Sequence, residues 1–169
     1  VVLCSEKFAK AHGGDYVEVI GSGRGGSPAA LQGREHMTTI PSTKIAAKAA
    51  YDMAGITAKD VDFAEVHDCF TIAEVVDTED LGFFGKGQGI QAIREDRTKL
   101  NSDISINPSG GLKSKGHPIG ATGVGQVAEV FDQLTGKAGA RTVKDAKIGL
   151  THNFGATGAS CAVHVFQSV

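Results

Sequence analysis

The sequence predicts an α/β domain in a chain of 169 residues. Segments with apolar residues at helical spacing alternate with short β-branched segments, and glycine clusters separate them. The last two predicted strands follow each other with no helix between them. This order indicates a largely parallel sheet with an antiparallel end.

The elements before the first long helix are short. Apolar and β-branched residues predict strands at Val1–Cys4 and Tyr16–Gly21. Between them Ser5 is a suitable N-cap for a helix over Ser5–Ala11, which Gly13 ends. The glycine-rich segment Ser22–Ser27 predicts a turn, because the acidic residue that a dinucleotide-binding loop needs further along the chain is missing.

The middle of the chain predicts two helices and one strand. Apolar residues recur at helical spacing over Pro41–Ala54, and Val61–Val66 predicts a strand. A helix over Thr71–Leu81 begins with an apparent capping box, Thr71-x-x-Glu74. Phe83–Arg97 predicts a loop with a short helical turn. The expected apolar positions of the first helix are Ile45, Ala46, Ala49, Ala50 and Met53.

The last third predicts three strands and one helix. The strands are expected at Ser102–Ile106, Ala146–Thr151 and Cys161–Gln167, with the last two joined through Gly155–Gly158. The helix is expected over Ala121–Leu134. One side of this helix is apolar: Val124, Val127, Ala128, Phe131 and Leu134.

Composition argues against several classes of function. The formal net charge is -2 and basic residues are dispersed, so nothing indicates a nucleic-acid surface. No apolar run approaches the roughly 18 residues that a membrane span needs, and the first residues do not form a signal peptide. The three cysteines, Cys4, Cys69 and Cys161, cannot all pair and lack C-x-x-C spacing, which favours a reducing compartment.

The first candidate site is His67-Asp68-Cys69-Phe70, between a predicted strand and a predicted helix. Active-site groups of α/β proteins favour the carboxyl end of a strand, and a helix N-terminus beside Cys69 would lower the pKa of its thiol. In an extended segment His67 and Cys69 would share one side, whereas in a turning segment they need not. A buried structural cysteine and a hydrogen-bonded histidine explain these residues equally well.

The second candidate site is Gly116-His117-Pro118, directly before a predicted helix. Proline is favoured at the start of a helix, where unpaired N–H groups collect and stabilise negative charge. Gly116 and Gly120 leave room for a ligand near the backbone. A glycine-rich turn with an incidental histidine is the alternative.

The third candidate site is the segment from His152-Asn153-Phe154-Gly155 to the last strand. Its glycines form either a hairpin turn or a source of N–H groups for an oxyanion. Zinc accepts the histidines and the cysteine of the three segments, but the paired spacing typical of structural zinc is absent, and we expect no metal.

In this order the three segments resemble the C-terminal half of a thiolase, over residues 1–169. Gly116-His117-Pro118 followed by Ile-Gly-Ala-Thr-Gly is similar to the thiolase histidine motif. His67-Asp68-Cys69-Phe70 matches the variant motif of the sterol carrier protein 2 type thiolases, where most other thiolases have Asn-Glu-Ala-Phe. His152-Asn153-Phe154-Gly155 stands where the common thiolases have Cys-x-Gly. The cysteine of that motif is absent here, as it is in the sterol carrier protein 2 type. The resemblance implies a mixed five-stranded sheet with helices on both faces.

The resemblance also implies a Claisen-type reaction on acyl-CoA: thiolytic cleavage of 3-ketoacyl-CoA or the reverse condensation. Cys69 would move the proton on the α-carbon, and His117 would activate the nucleophile and donate to the thioester oxygen. His67 would hold a water or donate to that oxygen, and the N–H of Gly155 would belong to a second oxyanion hole. Coenzyme A enters as substrate, and no cofactor is expected.

Domain organisation and partners follow from the same resemblance. Residues 1–14 would end the N-terminal thiolase domain, and residues 15–169 would form the C-terminal domain. The missing N-terminal half supplies the family's nucleophilic cysteine, a role that we do not expect of Cys4, so the chain alone is expected to be inactive. A homodimer or homotetramer in a peroxisome or mitochondrion is expected, although this chain carries no targeting signal.

Two other functions stay open. One is a thiolase-fold condensing enzyme of lipid or sterol synthesis. The other is a non-catalytic thiolase-like subunit that binds acyl-CoA or scaffolds another protein. The presence of His67, Cys69 and His117 together argues against pure scaffolding, because packing alone does not need all three.

Overall fold

A computed structural model describes all 169 residues, and its five strands form one mixed sheet. The strands are β1 (Val17–Gly26), β2 (Phe63–Glu65), β3 (Ser105–Ile106), β4 (Ile148–Gly155) and β5 (Ser160–Ser168). Their order across the sheet is β1-β5-β4-β2-β3. β2 runs parallel to β3 and β4, whereas β5 runs antiparallel to β4 and β1. The mixed five-stranded sheet is confirmed, with a larger antiparallel part than the order of elements indicated.

Helices cover both faces of this sheet. They are α1 (Glu6–His12), α2 (Pro41–Ala54), α3 (Thr71–Asp80), α4 (Gly89–Arg94), α5 (Gly111–Lys115) and α6 (Thr122–Leu134). On one face α2 packs on β1 and β5 and contacts α3. On the opposite face α6 packs mainly on β4. None of these helices combines the length and the apolar character that crossing a membrane requires.

β1 lies against α2 with almost no space between the two backbones. Alternate glycines of β1 face the helix: Gly21, Gly23 and Gly25. A Cβ on Gly23 would fall on the backbone of Ala46, and a Cβ on Gly25 would fall on that of Ser42. The predicted turn at Ser22–Ser27 is therefore wrong, since β1 continues to Gly26 and its glycines serve close packing.

α2 and α6 bury only part of the sides that their apolar residues suggest. In α2 the buried positions are small residues such as Ala46 and Ala50, while Ile45 and Met53 are exposed. In α6 the buried positions are Thr122, Gln126, Glu129, Val130 and Gln133. Val124, on the predicted apolar side of α6, is 53% exposed. Part of the apolar side of α6 thus faces away from the sheet.

Three further predictions need correction. Val1–Cys4 is exposed and pairs with no strand of the sheet, and a strand needs a neighbour to satisfy its backbone N–H and C=O groups. Thr71 is not an N-cap: Phe70 takes that position without a side-chain bond, and Glu74 accepts a hydrogen bond from Asn107 (3.0 Å). β2 and β3 are also shorter than predicted.

Candidate active site

The four site residues expected from the sequence line one open cavity of about 1370 Å³ on the α6 side of the sheet. His67 and Cys69 follow β2, Gly155 ends β4, and His117 precedes α6. β2 and β4 are parallel neighbours, so their carboxyl ends meet at the same edge of the sheet. Parallel pairing therefore brings together residues that lie far apart in the sequence.

His67 and His117 lie against each other in this cavity. Their ring centroids are 4.9 Å apart, and the rings meet edge to face at 83°. The ring of His67 also lies 4.5 Å from that of Phe154. Burial lowers the pKa of His67, and the neighbouring His117 lowers it further, against a hydrogen bond with Asn153 that raises it. His67 is therefore held neutral at neutral pH.

Cys69 lies half-buried on the cavity wall. Burial raises the pKa of its thiol, and the N–H of Phe70 opposes this shift without overcoming it. The expected lowering of the Cys69 pKa is therefore wrong in net direction, because desolvation of the thiolate outweighs one donor at the start of α3. The thiol is protonated at neutral pH, which is the form that can donate a proton.

Asp68 lies between two cavity residues but bonds to α5. Its carboxylate accepts from the N–H of Leu112 (2.7 Å) and from that of Lys113 (3.3 Å). Gly111 has a φ of 67°, and a Cβ there would collide with the Asp68 carboxylate. His67 and Cys69 thus share the cavity side of this segment, while Asp68 holds the start of α5.

Glu65, at the end of β2, binds both ends of the segment that contains α5, at Ser109 and at Lys115. It is fully buried and accepts from the Ser109 N–H (3.0 Å), the Ser109 hydroxyl (2.6 Å) and the Lys115 ammonium (3.1 Å). Burial raises the pKa of Glu65, and the charge of Lys115 counteracts it. Together Glu65 and Asp68 bind the segment that leads directly to His117.

The first turns of α6 hold the other side of the site. The hydroxyl oxygen of Thr122 lies 2.7 Å from Nδ1 of His117. The fully buried Gln126 amide donates to the carbonyls of Glu65 (3.3 Å) and His152 (3.0 Å), so it cross-links β2 and β4. These bonds position the backbone beside His67 at one end and Asn153 at the other.

Sequence reasoning assigned no role to these supporting residues. Thr122 has a usable signal, because it stands five residues after His117 at the start of a predicted helix. Glu65 and Gln126 have none, since the hydrogen-bond partners of their side chains lie at least 26 residues away along the chain. His152, from the third candidate segment, is buried against Thr43 of α2 and does not line the cavity. No three His, Cys, Asp or Glu side chains lie close enough to hold a metal ion.

The fold and the cavity define an α/β domain with a thiol and two imidazoles at one sheet edge. A family model described as thiolase C-terminal domain-like matches residues 23–168. The chain therefore belongs to the thiolase C-terminal domain family, and the resemblance drawn from the three motifs is confirmed.

The chain is also similar in sequence to individual proteins over nearly its whole length. The chain is 47% identical to an acetyl-CoA acetyltransferase of Methanothermobacter thermautotrophicus over 167 residues, 99% of this chain and 44% of that protein. It is 39% identical to human sterol carrier protein 2 over 175 residues, 94% of this chain and 30% of that protein. The chain thus spans less than half the length of these relatives.

A solved structure shows the same fold. The Ltp2-ChsH2(DUF35) aldolase superposes on this chain with a TM-score of 0.80, covering 91% of this chain and 40% of its own. The two sequences are 19% identical, so this match concerns the fold alone.

Proposed function

We propose that this chain is the C-terminal catalytic half of a thiolase that acts on 3-ketoacyl-CoA, by thiolytic cleavage or by the reverse Claisen condensation. The observation that carries the proposal is the single cavity shared by His67, Cys69 and His117. The acetyl-CoA acetyltransferase relatives support acyl transfer between CoA thioesters. Coenzyme A and its thioesters are then substrates.

The thiol of Cys69 would carry the proton of the substrate α-carbon. In the cleavage direction, the nucleophile adds to the 3-keto carbon, the bond between the α- and β-carbons breaks, and the departing enolate takes the Cys69 proton. In the condensation direction, the Cys69 thiolate removes a proton from the α-carbon of the acyl-CoA. The raised pKa of Cys69 supports the donating role at neutral pH.

The two histidines would act on the thioester oxygen and on the nucleophile. His117 would accept the proton of the nucleophilic thiol. Its Nε2–H would then donate a hydrogen bond to the developing enolate oxygen. His67, held neutral by burial, would donate an N–H to the same oxygen without competing for the proton. Gly155, exposed at the end of β4, would contribute a backbone N–H to the second oxyanion hole.

The nucleophilic cysteine would come from an N-terminal half. The half-exposed Val124 and the exposed segment Val1–Leu3 support a partner on the α6 side, because both border the cavity. A homodimer or homotetramer and a peroxisomal or mitochondrial compartment remain predictions from the family resemblance.

Substitution of Cys69 in the full-length protein tests the proposal. We expect Cys69→Ala to abolish deuterium exchange at the α-carbon of acetyl-CoA, because the proton carrier is lost. Acyl-enzyme formation from acetyl-CoA, which breaks no bond to the α-carbon proton, should continue and is measured by intact mass spectrometry. Cys4→Ala, at an exposed cysteine, is the control and should exchange at the wild-type rate.

Two outcomes would contradict the proposal. Normal turnover by Cys69→Ala would remove Cys69 from the proton-transfer step. A wild-type protein that binds acyl-CoA but forms no acyl-enzyme and shows no exchange would support the non-catalytic subunit instead.

A further inference from the structure

His117 has one ring nitrogen occupied by its own helix. Nδ1 lies 2.7 Å from the hydroxyl oxygen of Thr122, the first residue of α6. Thr122 is 5% exposed, so water does not compete freely for this contact. Nε2 is therefore the ring nitrogen of His117 that remains available to a ligand in the cavity.

The Thr122 hydroxyl lies between His117 and a second hydrogen-bond partner. It lies 3.2 Å from the carbonyl oxygen of Pro118, to which it donates across one helical turn. A hydroxyl carries one hydrogen and two lone pairs. A hydroxyl hydrogen directed to Pro118 leaves the oxygen to accept from Nδ1–H of His117, whereas a hydrogen directed to Nδ1 would give the other tautomer.

We propose that Thr122 is a positioning residue that holds His117 in the Nδ1–H tautomer, which leaves a lone pair on Nε2 for the proton of the nucleophilic thiol. This inference rests on the proposed thiolase function and adds the tautomer and the residue that sets it. The other neutral tautomer would already carry hydrogen on Nε2, so it could donate a hydrogen bond but could not accept the thiol proton.

The same arrangement serves the protonated ring. When Nε2 accepts the proton, both ring nitrogens become donors. The bond from Nδ1–H to Thr122 then persists, and no hydroxyl needs to rotate. Nε2–H is afterwards free to donate to the enolate oxygen, so Thr122 supports both steps that the proposed function asks of His117.

The test compares three variants of the full-length protein. Thr122→Val keeps the shape and removes the acceptor, and we expect kcat to fall by about 100-fold or more with KM within about twofold, the size of effect that a displaced general base produces. Thr122→Ser restores the hydroxyl and should recover kcat to within about threefold. Thr135→Val is the matched control, because its hydroxyl also donates to the carbonyl four residues back (2.7 Å) but touches no histidine.

A spectroscopic measurement reads the tautomer without turnover. In protein labelled with 15N-histidine, the His117 resonances should show hydrogen on Nδ1 and none on Nε2 in the wild type. Thr122→Val should show a mixture of the two forms.

The outcomes separate the two proposals. A wild type with hydrogen on Nε2, or a Thr122→Val variant with the wild-type kcat, would overturn the role of Thr122 even if the protein is a thiolase. A wild type without thiolase turnover would overturn the proposed function, while the resonances would still report on the contact between Thr122 and His117. If Thr122→Val fails to fold, the wild-type resonances and Thr122→Ser decide.

Discussion

The two faces of the sheet hold histidines in opposite situations. On the α2 face His152 is fully buried, with Nε2 2.9 Å from the Thr43 hydroxyl and Nδ1 3.6 Å from the Asp77 carboxyl. On the α6 face His67 and His117 border an open cavity. A threonine, a histidine and an aspartate in a row resemble a catalytic triad, but no substrate can reach them. Access, more than the set of residue types, distinguishes the candidate site.

The closed face also favours the uncharged forms of His152 and Asp77. Burial lowers the pKa of His152 to about 3 and raises that of Asp77 well above its usual range, an effect that Asp80 and Glu74 reinforce. Both shifts favour the uncharged forms, a neutral histidine and a protonated aspartic acid. The open face leaves His117 exposed to solvent and to ligands. One face of the sheet therefore holds polar side chains that are packed away from solvent, and the other holds polar side chains that border the cavity.

The largest expected effect tests the packing of the closed face. Gly23→Ala places a Cβ on the backbone of Ala46, so β1 and α2 must move apart. We expect the free energy of unfolding to fall by about 3 kcal/mol. Gly26→Ala, on the same strand with only an ordinary contact, is the control and should change it by less than about 0.5 kcal/mol. Urea denaturation of the full-length protein measures both, and equal losses would refute the close approach.

The next effect tests the charge state of the closed face. In the folded protein Asp77 keeps its proton to a higher pH than an ordinary aspartate, whereas in the unfolded chain it releases the proton near pH 4. The free energy of unfolding of the wild type therefore falls as the pH rises from about 4 towards the pKa of folded Asp77. Asp77→Asn has no such proton and should gain stability relative to the wild type by up to about 1.4 kcal/mol per pH unit. Urea denaturation at pH 5 and pH 7 measures this gain, which amounts to up to about 2.8 kcal/mol over the interval.

His152 acts in the opposite direction in both proteins. The unfolded chain binds a proton below about pH 6.5 that the folded histidine refuses until about pH 3, so acidification between these values costs stability equally with and without Asp77. The control is Asp52→Asn at an exposed position of α2, whose difference from the wild type should not change with pH. A stability difference between Asp77→Asn and the wild type that is constant with pH would mean that Asp77 is ionised in the folded state.

The smallest effect tests the electrostatics of the open face. The Lys113 ammonium lies 5.7 Å from the ring centroid of Phe70, and its charge lowers the pKa of Cys69 by less than burial raises it. Lys113→Met should therefore slow alkylation of Cys69 by iodoacetamide at pH 8 by about two- to threefold, as expected for one exposed charge. Mass spectrometry of the Cys69 peptide gives the rate. Lys99→Met, at an exposed lysine paired with Asp96, should leave it unchanged. A faster reaction in Lys113→Met would reverse the assigned sign.

Features with local causes could be predicted from the sequence. Ser5 caps α1 by accepting from the N–H of Phe8, and α2 spans Pro41–Ala54, as their sequences indicate. The three motifs named His67, Cys69, His117 and Gly155, and these residues line one cavity. Each of these predictions depends on residues within a few positions of each other, whose spacing the sequence states directly.

Contacts between distant segments decided the rest. The side of α6 that meets the sheet contains Gln126 and excludes Val124, because the backbone carbonyls of β2 and β4 need donors there. Burial, which no single segment defines, reversed the expected pKa shift of Cys69. The sequence by itself therefore determined the family, most of the helices and strands, and the candidate site residues. Only the tertiary structure decided which faces pack, which polar groups are neutral and which residues support His117, because those depend on the solvent access and hydrogen-bond partners that folding creates.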